Sequence, residues 1–310
     1  MSKLNRLSRF LSDTTMTSPI LFNRRLSKSE IDILLQLVEN QTDFGYLSKE
    51  LASSFFGLED TISFVSTVED EIIGGTVIYR DRTRLGMVLA TAVAKNEFRE
   101  TLAYSIIKSS LPFFRTVAIR DVDALVPDDF KQTRLGFPGT LELDYWTREI
   151  LERIGFEEQN KLLSYTISIK AEKLENKRGN EWDHKPNLEG ARNLIWDSSK
   201  TIGMTNSFIW TAFNFASNQS KLRTITLNDS TKLVTSIYHQ DNTAIINFIV
   251  SDADVSTTSK QIAEMVRECV ADNVVLPLVG RGQCDLIEAV ADELGGSLKK
   301  RSMTLMRKHL

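Results

Sequence analysis

Cysteine and histidine are scarce in this 310-residue chain. Two cysteines, Cys269 and Cys284, and three histidines, His184, His239 and His309, are spread along it with no CxxC pair. That inventory is too poor for a zinc site, and the expectation is a reduced, metal-free cytoplasmic protein. Long apolar runs are missing too: none approaches the roughly 18–20 residues that span a bilayer, so no membrane role is expected. Charge of one sign is also lacking. A formal charge of −3 and a pI near 5.8 give no global reason to bind nucleic acid. A more local absence is glycine. In "AVAKNEFRETLAYSII" (92–107) a strand-like run meets an amphipathic helix, a junction where glycines often let a phosphate approach the backbone. Here there are none.

What remains is an ordinary globular composition, 42% hydrophobic and 25% charged, and a length that suits two domains. The first residues, "MSKLNRLSRFLSDTTMTSP", are basic and Ser-rich, and Leu4, Leu7, Phe10 and Leu11 share one helical face. That pattern fits an organelle targeting peptide and equally a docked or frayed N-terminal helix. The expected division is an extension over 1–26, a first domain over 27–170, a linker over 171–187 and a second domain over 188–310.

Periodicity sets the elements. "SKSEIDILLQLVENQ" (27–41) opens with Ser27 and Glu30 in capping-box spacing, which predicts a helix. "YLSKELASSFFG" predicts a second, ending at Gly57. Three β-rich runs, "TISFVSTV", "EIIGGTVIYRD" and "LGMVLATAVAK", are joined by short polar links and predict an antiparallel meander. A helix ("FRETLAYSIIKSSLPFF"), a strand ("TVAIRDV"), a loop of some twenty residues, a helix ending at Gly155 and a strand ("KLLSYTISIK") follow. After the charged stretch 171–187 this order repeats. With Ile78-Tyr79 set against Ile237-Tyr238, Ala103, Ile106, Ile107 and Leu111 fall on Ile262, Met265, Val266 and Val270 without a gap. One α/β unit, present twice, explains both halves.

The order of elements resembles the GNAT acetyltransferase fold, most closely over residues 27–170 and more weakly over 188–308. "EIIGGTVIYRD" resembles its central hairpin strand, "MVLATAVAKNEFRE" its strand-to-cofactor-helix junction, and "REILERIGFEEQ" its "YxxxGF" helix end. The resemblance implies a mixed α+β fold of two tandem GNAT-like domains, each with a mostly antiparallel sheet flanked by helices. It also implies acetyl-CoA or a related acyl-CoA as donor. The pantetheine arm would add to a strand edge and the pyrophosphate would meet a helix N-terminus, while a carboxylate takes the amine proton and a tyrosine protonates the thiolate.

Carried onto this chain, the donor positions are Thr91, Val93, Arg99, Glu100, Thr101 and Leu102 in the first copy and Ser256, Thr257, Thr258, Ser259 and Lys260 in the second. Arg99 fits the family motif, but Leu102 and Tyr104 stand where it has small residues, and their side chains are expected to crowd an anion. In the second copy Thr258, Gln261 and Ala263 hold the motif positions. The hydroxyls of 256–259 fit phosphate binding or a plain helix cap. The tyrosine positions are occupied by Leu151 and Ala291, which donate no proton, and Tyr145 lies too far upstream to replace them directly.

Asp121 and Asp123, with Asp128 and Asp129, are the expected carboxylates of a substrate cleft, or else solvated loop acids. Asp252 and Asp254 are their second-copy counterparts or helix caps. Gly74-Gly75 suggests a bulge or close backbone approach. Arg80, Arg82 and Arg84 read as a solvated turn or an anion contact. The aromatic run 207–217 reads as core or interdomain interface, and "GRGQ" (280–283) as a turn leading into Cys284. The enzymatic reading is acyl transfer to a small-molecule or peptide amine, and a homodimer stays open. The competing reading is a non-catalytic tandem module that kept the hydrophobic frame and lost the phosphate loop. An aminoacyl-tRNA-dependent transferase is disfavoured by the charge.

Overall fold

The computed structural model describes residues 22–39, 48–68, 71–79, 87–93, 99–116, 119–130, 142–169, 182–183, 185–198 and 206–310. The proposed targeting segment, Arg80, Arg82 and Arg84, and most of the 171–187 linker lie outside them.

In chain order the elements are β1 (Phe22–Arg25), α1 (Ile31–Glu39), α2 (Lys49–Phe56), β2 (Thr61–Val68), β3 (Glu71–Tyr79), β4 (Met87–Val93), α3 (Arg99–Thr116), β5 (Asp121–Pro127), α4 (Thr147–Ile154) and β6 (Glu157–Ser168). The second half follows with α5 (Leu188–Ser198), α6 (Asn206–Asn218), β7 (Leu222–Leu227), β8 (Ser230–Gln240), β9 (Thr243–Ser251), α7 (Val255–Glu268), β10 (Asn273–Val279), α8 (Cys284–Leu294) and β11 (Ser297–His309).

The expected capping box forms: Ser27 and Glu30 satisfy each other's backbone across a 3-10 turn that leads into α1. Helices α4 and α8 both stop at glycines with left-handed backbone, Gly155 (φ 94°) and Gly295 (φ 61°), where a side chain would be strained. Two elements differ from the sequence reading. Phe22–Arg25 form an edge strand on β2. The strand after α3 runs over Asp121–Pro127 rather than 116–122, so it starts later than the sequence reading and takes in Asp123 as well as Asp121.

All eleven strands form one sheet in the order β1-β2-β3-β4-β5-β11-β6-β10-β9-β8-β7. Neighbouring strands are antiparallel except at β4·β5 and β9·β10, which are parallel. The order shows an exchange. The last strand of the second half, β11, lies between β5 and β6 of the first, and β6 lies between β11 and β10 of the second. The penultimate strand of each half, β5 or β10, thus pairs with the last strand of the other half.

The repeat is visible in the ladders. Between Val77 and Ile78 on β3, β4 carries one extra residue (Ala90 to Val88). Between Thr235 and Ile237 on β8, β9 does the same (Ile249 to Ile246). The two bulges flank the residues that the sequence set in register, Ile78 and Ile237. The matched helix positions are buried at Ala103, Ile106, Ile107 and Leu111 and at Ile262, Met265 and Val266. Val270 breaks the match at 66% exposure, because α7 ends at Glu268 while α3 runs to Thr116.

Helices α3 and α4 cover one sheet face of the first half, and α7 and α8 cover the matching face of the second. The opposite face is shared: α1 and α2 from the first half and α5 and α6 from the second enclose a single apolar cluster. The aromatic run forms that interface. Phe208, Trp210, Phe213 and Phe215 are buried, and Phe215 meets Phe55 of α2 edge-to-face at 5.5 Å. Gly75 marks a close approach, since an added Cβ would lie 2.7 Å from Leu34 of α1.

Candidate functional site

Parallel neighbours that part company leave a gap in a sheet, and this sheet has two. Strands β4 and β5 share one register pair, Met87 with Asp123. Strands β9 and β10 pair from Thr243·Asn273 to Ile245·Val275 and then diverge. In each case the bulge turns the first strand away, and the helix that follows it, α3 or α7, begins beside the widening gap. Backbone groups facing a gap have no strand partner, which makes them available to an extended ligand.

In the first half, Thr91 and Val93 lie on β4 opposite Thr76 and Gly74. Arg99, Glu100 and Thr101 form the exposed first turn of α3. The Arg99 guanidinium stacks 5.0 Å above the ring of Trp146 at the start of α4. Leu102 departs from the sequence reading in one respect: its side chain is buried with the α3 core face and so does not crowd the helix tip. Tyr104 also turns aside, lying against the Arg153 guanidinium at 5.1 Å and accepting a hydrogen bond from Lys108 at 3.2 Å.

The acids are distributed differently from the expectation. Asp123 and Asp121 sit at the closed end of the first gap, where β4 and β5 meet, and both face β11. Asp123 is 1% exposed and takes two bonds from Arg307, at 2.6 and 2.8 Å. Burial pushes its carboxyl above the usual range against the pull of those bonds, and the bonds raise Arg307 further. Asp121 pairs with His309. Both carboxylates therefore hold the exchanged strand in place. At the open end, Asp128 takes 2.8 Å from Lys161 and a further bond from Thr304. Burial opposes ionisation there, yet the Lys161 and Thr304 bonds hold the carboxyl below its usual range. Asp129 next to it is exposed. Phe130 and Tyr145 pack at 6.3 Å beside these acids, 71% and 40% exposed.

The second gap is furnished otherwise. Asp254 is the N-cap of α7 and accepts from the Thr257 backbone at 2.9 Å and from its hydroxyl at 2.7 Å. These bonds hold the Asp254 carboxyl below its usual range. Thr258 and Ser259 are 1% exposed, with hydroxyls bonded to Ser251 (2.8 Å) and the Ser256 carbonyl (3.1 Å). Of the second-copy donor set, Ser256, Thr257 and Lys260 stay on the surface. Leu151 and Ala291, at the tyrosine positions, are both buried.

Two contacts escaped the sequence. The Gln283 carboxamide reaches from the turn after β10 to the Ile249 carbonyl on β9 at 2.7 Å. Tyr165 of β6 crosses into the other half and donates to Cys284 at 3.4 Å, and burial, with that neighbour, raises the phenol above its usual range. No local signal links residues this far apart.

No protein-family model and no curated protein matches the sequence. Solved structures do match in shape. An acetyltransferase candidate from Pyrococcus horikoshii is 12% identical with a TM-score of 0.62, covering 96% of this chain and 92% of that one. A tandem GNAT protein from the clavulanic acid biosynthesis pathway is 10% identical with a TM-score of 0.59, over 94% and 98%. A GCN5-related N-acetyltransferase from Sphaerobacter thermophilus is 11% identical with a TM-score of 0.57, over 93% and 95%. With its duplicated unit, its two bulged and splayed strand pairs and this likeness along nearly its whole length, the chain has the tandem GNAT fold.

Proposed function

We propose that the protein is an acyl-CoA-dependent N-acyltransferase whose donor site is the gap of the first half. The observation that carries this reading is the β4/β5 gap opening beside a helix tip that presents Arg99, where the second half presents Asp254. A helix N-terminus with an added guanidinium favours a pyrophosphate, and one whose first-turn N–H is already taken by a capping carboxylate does not offer it. Thr91 and Val93 would offer backbone to the pantetheine arm, and Arg99, Glu100 and Thr101 would border the phosphates.

A bound acyl-CoA supplies an activated thioester. The chain's own part is to orient the donor and receive the amine proton. Asp129, exposed just beyond the end of β5, would take that proton, and Phe130 and Tyr145 would offer rings against which an acceptor can lie. One observation favours a second reading, a binding or interaction module without turnover: the buried Leu151 occupies the position of the proton-donating tyrosine.

Melting curves with acetyl-CoA separate the readings from a protein that does not bind it. A ligand at 100 times its Kd adds about 2.7 kcal/mol to the folded state. That shift is expected in the wild type and absent in Arg99→Ala. Release of free thiol on incubation with a panel of amines identifies transfer. Binding without thiol release favours the module, and no shift at millimolar acetyl-CoA refutes the donor site.

A further inference from the structure

Gln283 lies in a turn that the sequence marks only by its glycines. The residue is 8% exposed, and both ends of the carboxamide are engaged: Nε2 donates to the Ile249 carbonyl at 2.7 Å, and Oε1 accepts from the Gly280 backbone at 3.3 Å. Ile249 is four residues beyond Ile245, the last residue of β9 that pairs with β10. It lies opposite Thr235 on β8. In an antiparallel ladder, residues that do not bond their partner turn both backbone groups outward. The outward side here is the gap. An amide N–H therefore meets the splayed edge of β9 as the amide of an extended ligand would, but it belongs to the chain.

The other end of the gap is filled as well. Asp254 accepts from the first turn of α7. Ser251 accepts from the Ala253 backbone at 3.1 Å and bonds Thr258 at 2.8 Å. The N–H groups that would face an anion thus face a carboxylate, whose charge is kept by the Thr257 bonds. An amide donor along the strand and a negative group at the helix tip are the two features an acyl-CoA would bring, and both are present from within.

We propose that the second gap is self-occupied, with Gln283 in the place of a pantetheine amide and Asp254 in the place of a pyrophosphate. Each chain then takes up at most one CoA, and the second half serves as a fixed partner that lends β11 to the first. The self-occupancy is independent of the proposed function. Only the assignment of the single CoA to the first half rests on it.

Calorimetric titration of the full chain with CoA tests this. The wild type is expected to bind one CoA, lost in Arg99→Ala. The double variant Gln283→Ala/Asp254→Ser keeps a neutral helix cap and empties the gap, and it is expected to gain one further site. Gln283→Leu, which fills the space without the bond, is expected to keep the wild-type stoichiometry. Two CoA per wild-type chain overturn the inference and leave the proposed function standing. No binding by the wild type with one CoA in the double variant does the reverse. A double variant with a native circular dichroism spectrum and no added site also overturns it. If that variant does not fold, Gln283→Ala alone is heated with millimolar pantetheine, which has no pyrophosphate. A raised melting temperature supports self-occupancy, and an unchanged one refutes it.

Discussion

Replacing Arg307 by alanine should cost the protein about 3 kcal/mol, because it strands a buried carboxylate. Arg307 lies on β11 and Asp123 opposite it on β5, 184 residues apart in sequence. The Asp123 side chain is 1% exposed and its two oxygens each take one guanidinium bond. Removing one partner of such a pair typically costs about 3–5 kcal/mol, since the remaining charge stays out of water. Arg307 is 27% exposed, so solvent can reach part of the vacated space, which places the expectation at the lower end. The other groups near Asp123 are Asp121, which repels its charge, and His309, which Asp121 already engages. Neither replaces the fork. A paired variant, Asp123→Leu with Arg307→Met, removes both charges and should recover most of the loss. Urea unfolding of the four proteins completes the cycle. Hydrogen exchange should also rise in β5 and β11 of Arg307→Ala, because the pair ties the exchanged strand to its host. A loss below about 1 kcal/mol, typical of a solvent-exposed pair, would refute the argument.

Two further outcomes are expected. Gly75→Ala should destabilise by about 1–3 kcal/mol by overpacking, since the new methyl meets Leu34 at 2.7 Å and the Phe64 carbonyl at 3.2 Å. Thermal or urea unfolding checks it, and a neutral effect would mean that α1 yields. Asp254 has a folded-state pKa below its unfolded one, so its cap contributes fully above the ordinary carboxylate range and is lost as the pH falls from that range through the lower folded-state value. Melting temperatures between about pH 7 and about pH 3 should therefore drop more steeply for the wild type than for Asp254→Asn, which caps without titrating. Parallel profiles would refute the role of the charge.

Much of the fold is local and so was legible in residue order. Helices such as α3 and α7 follow from apolar spacing, their ends from Gly155 and Gly295, and the duplication from the register of Ile78 with Ile237. Two boundaries misled. Asp121 and Asp123 look like loop acids, because charged residues are rare inside strands, yet pairing across to His309 and Arg307 lets β5 hold them. Four residues of β1 carry no apolar alternation, since as an edge strand all four are exposed.

The sequence by itself determined the elements, their twofold order and the apolar faces they bury, because each depends on neighbours within a few turns or a few pleats. It did not determine which last strand lies in which half. β6 and β11 both follow a helix and a glycine turn and both open with an exposed polar run before a buried stretch, so local pattern suits either place. Tertiary structure decided it, through pairs that link the first half to β11: Asp123 with Arg307, Glu142 with Arg301, Asp128 with Thr304. The same holds for the gaps. Their glycine-poor rims could be read in advance, but the reach of Gln283 to Ile249 exists only once a bulge has turned one strand away from its parallel neighbour.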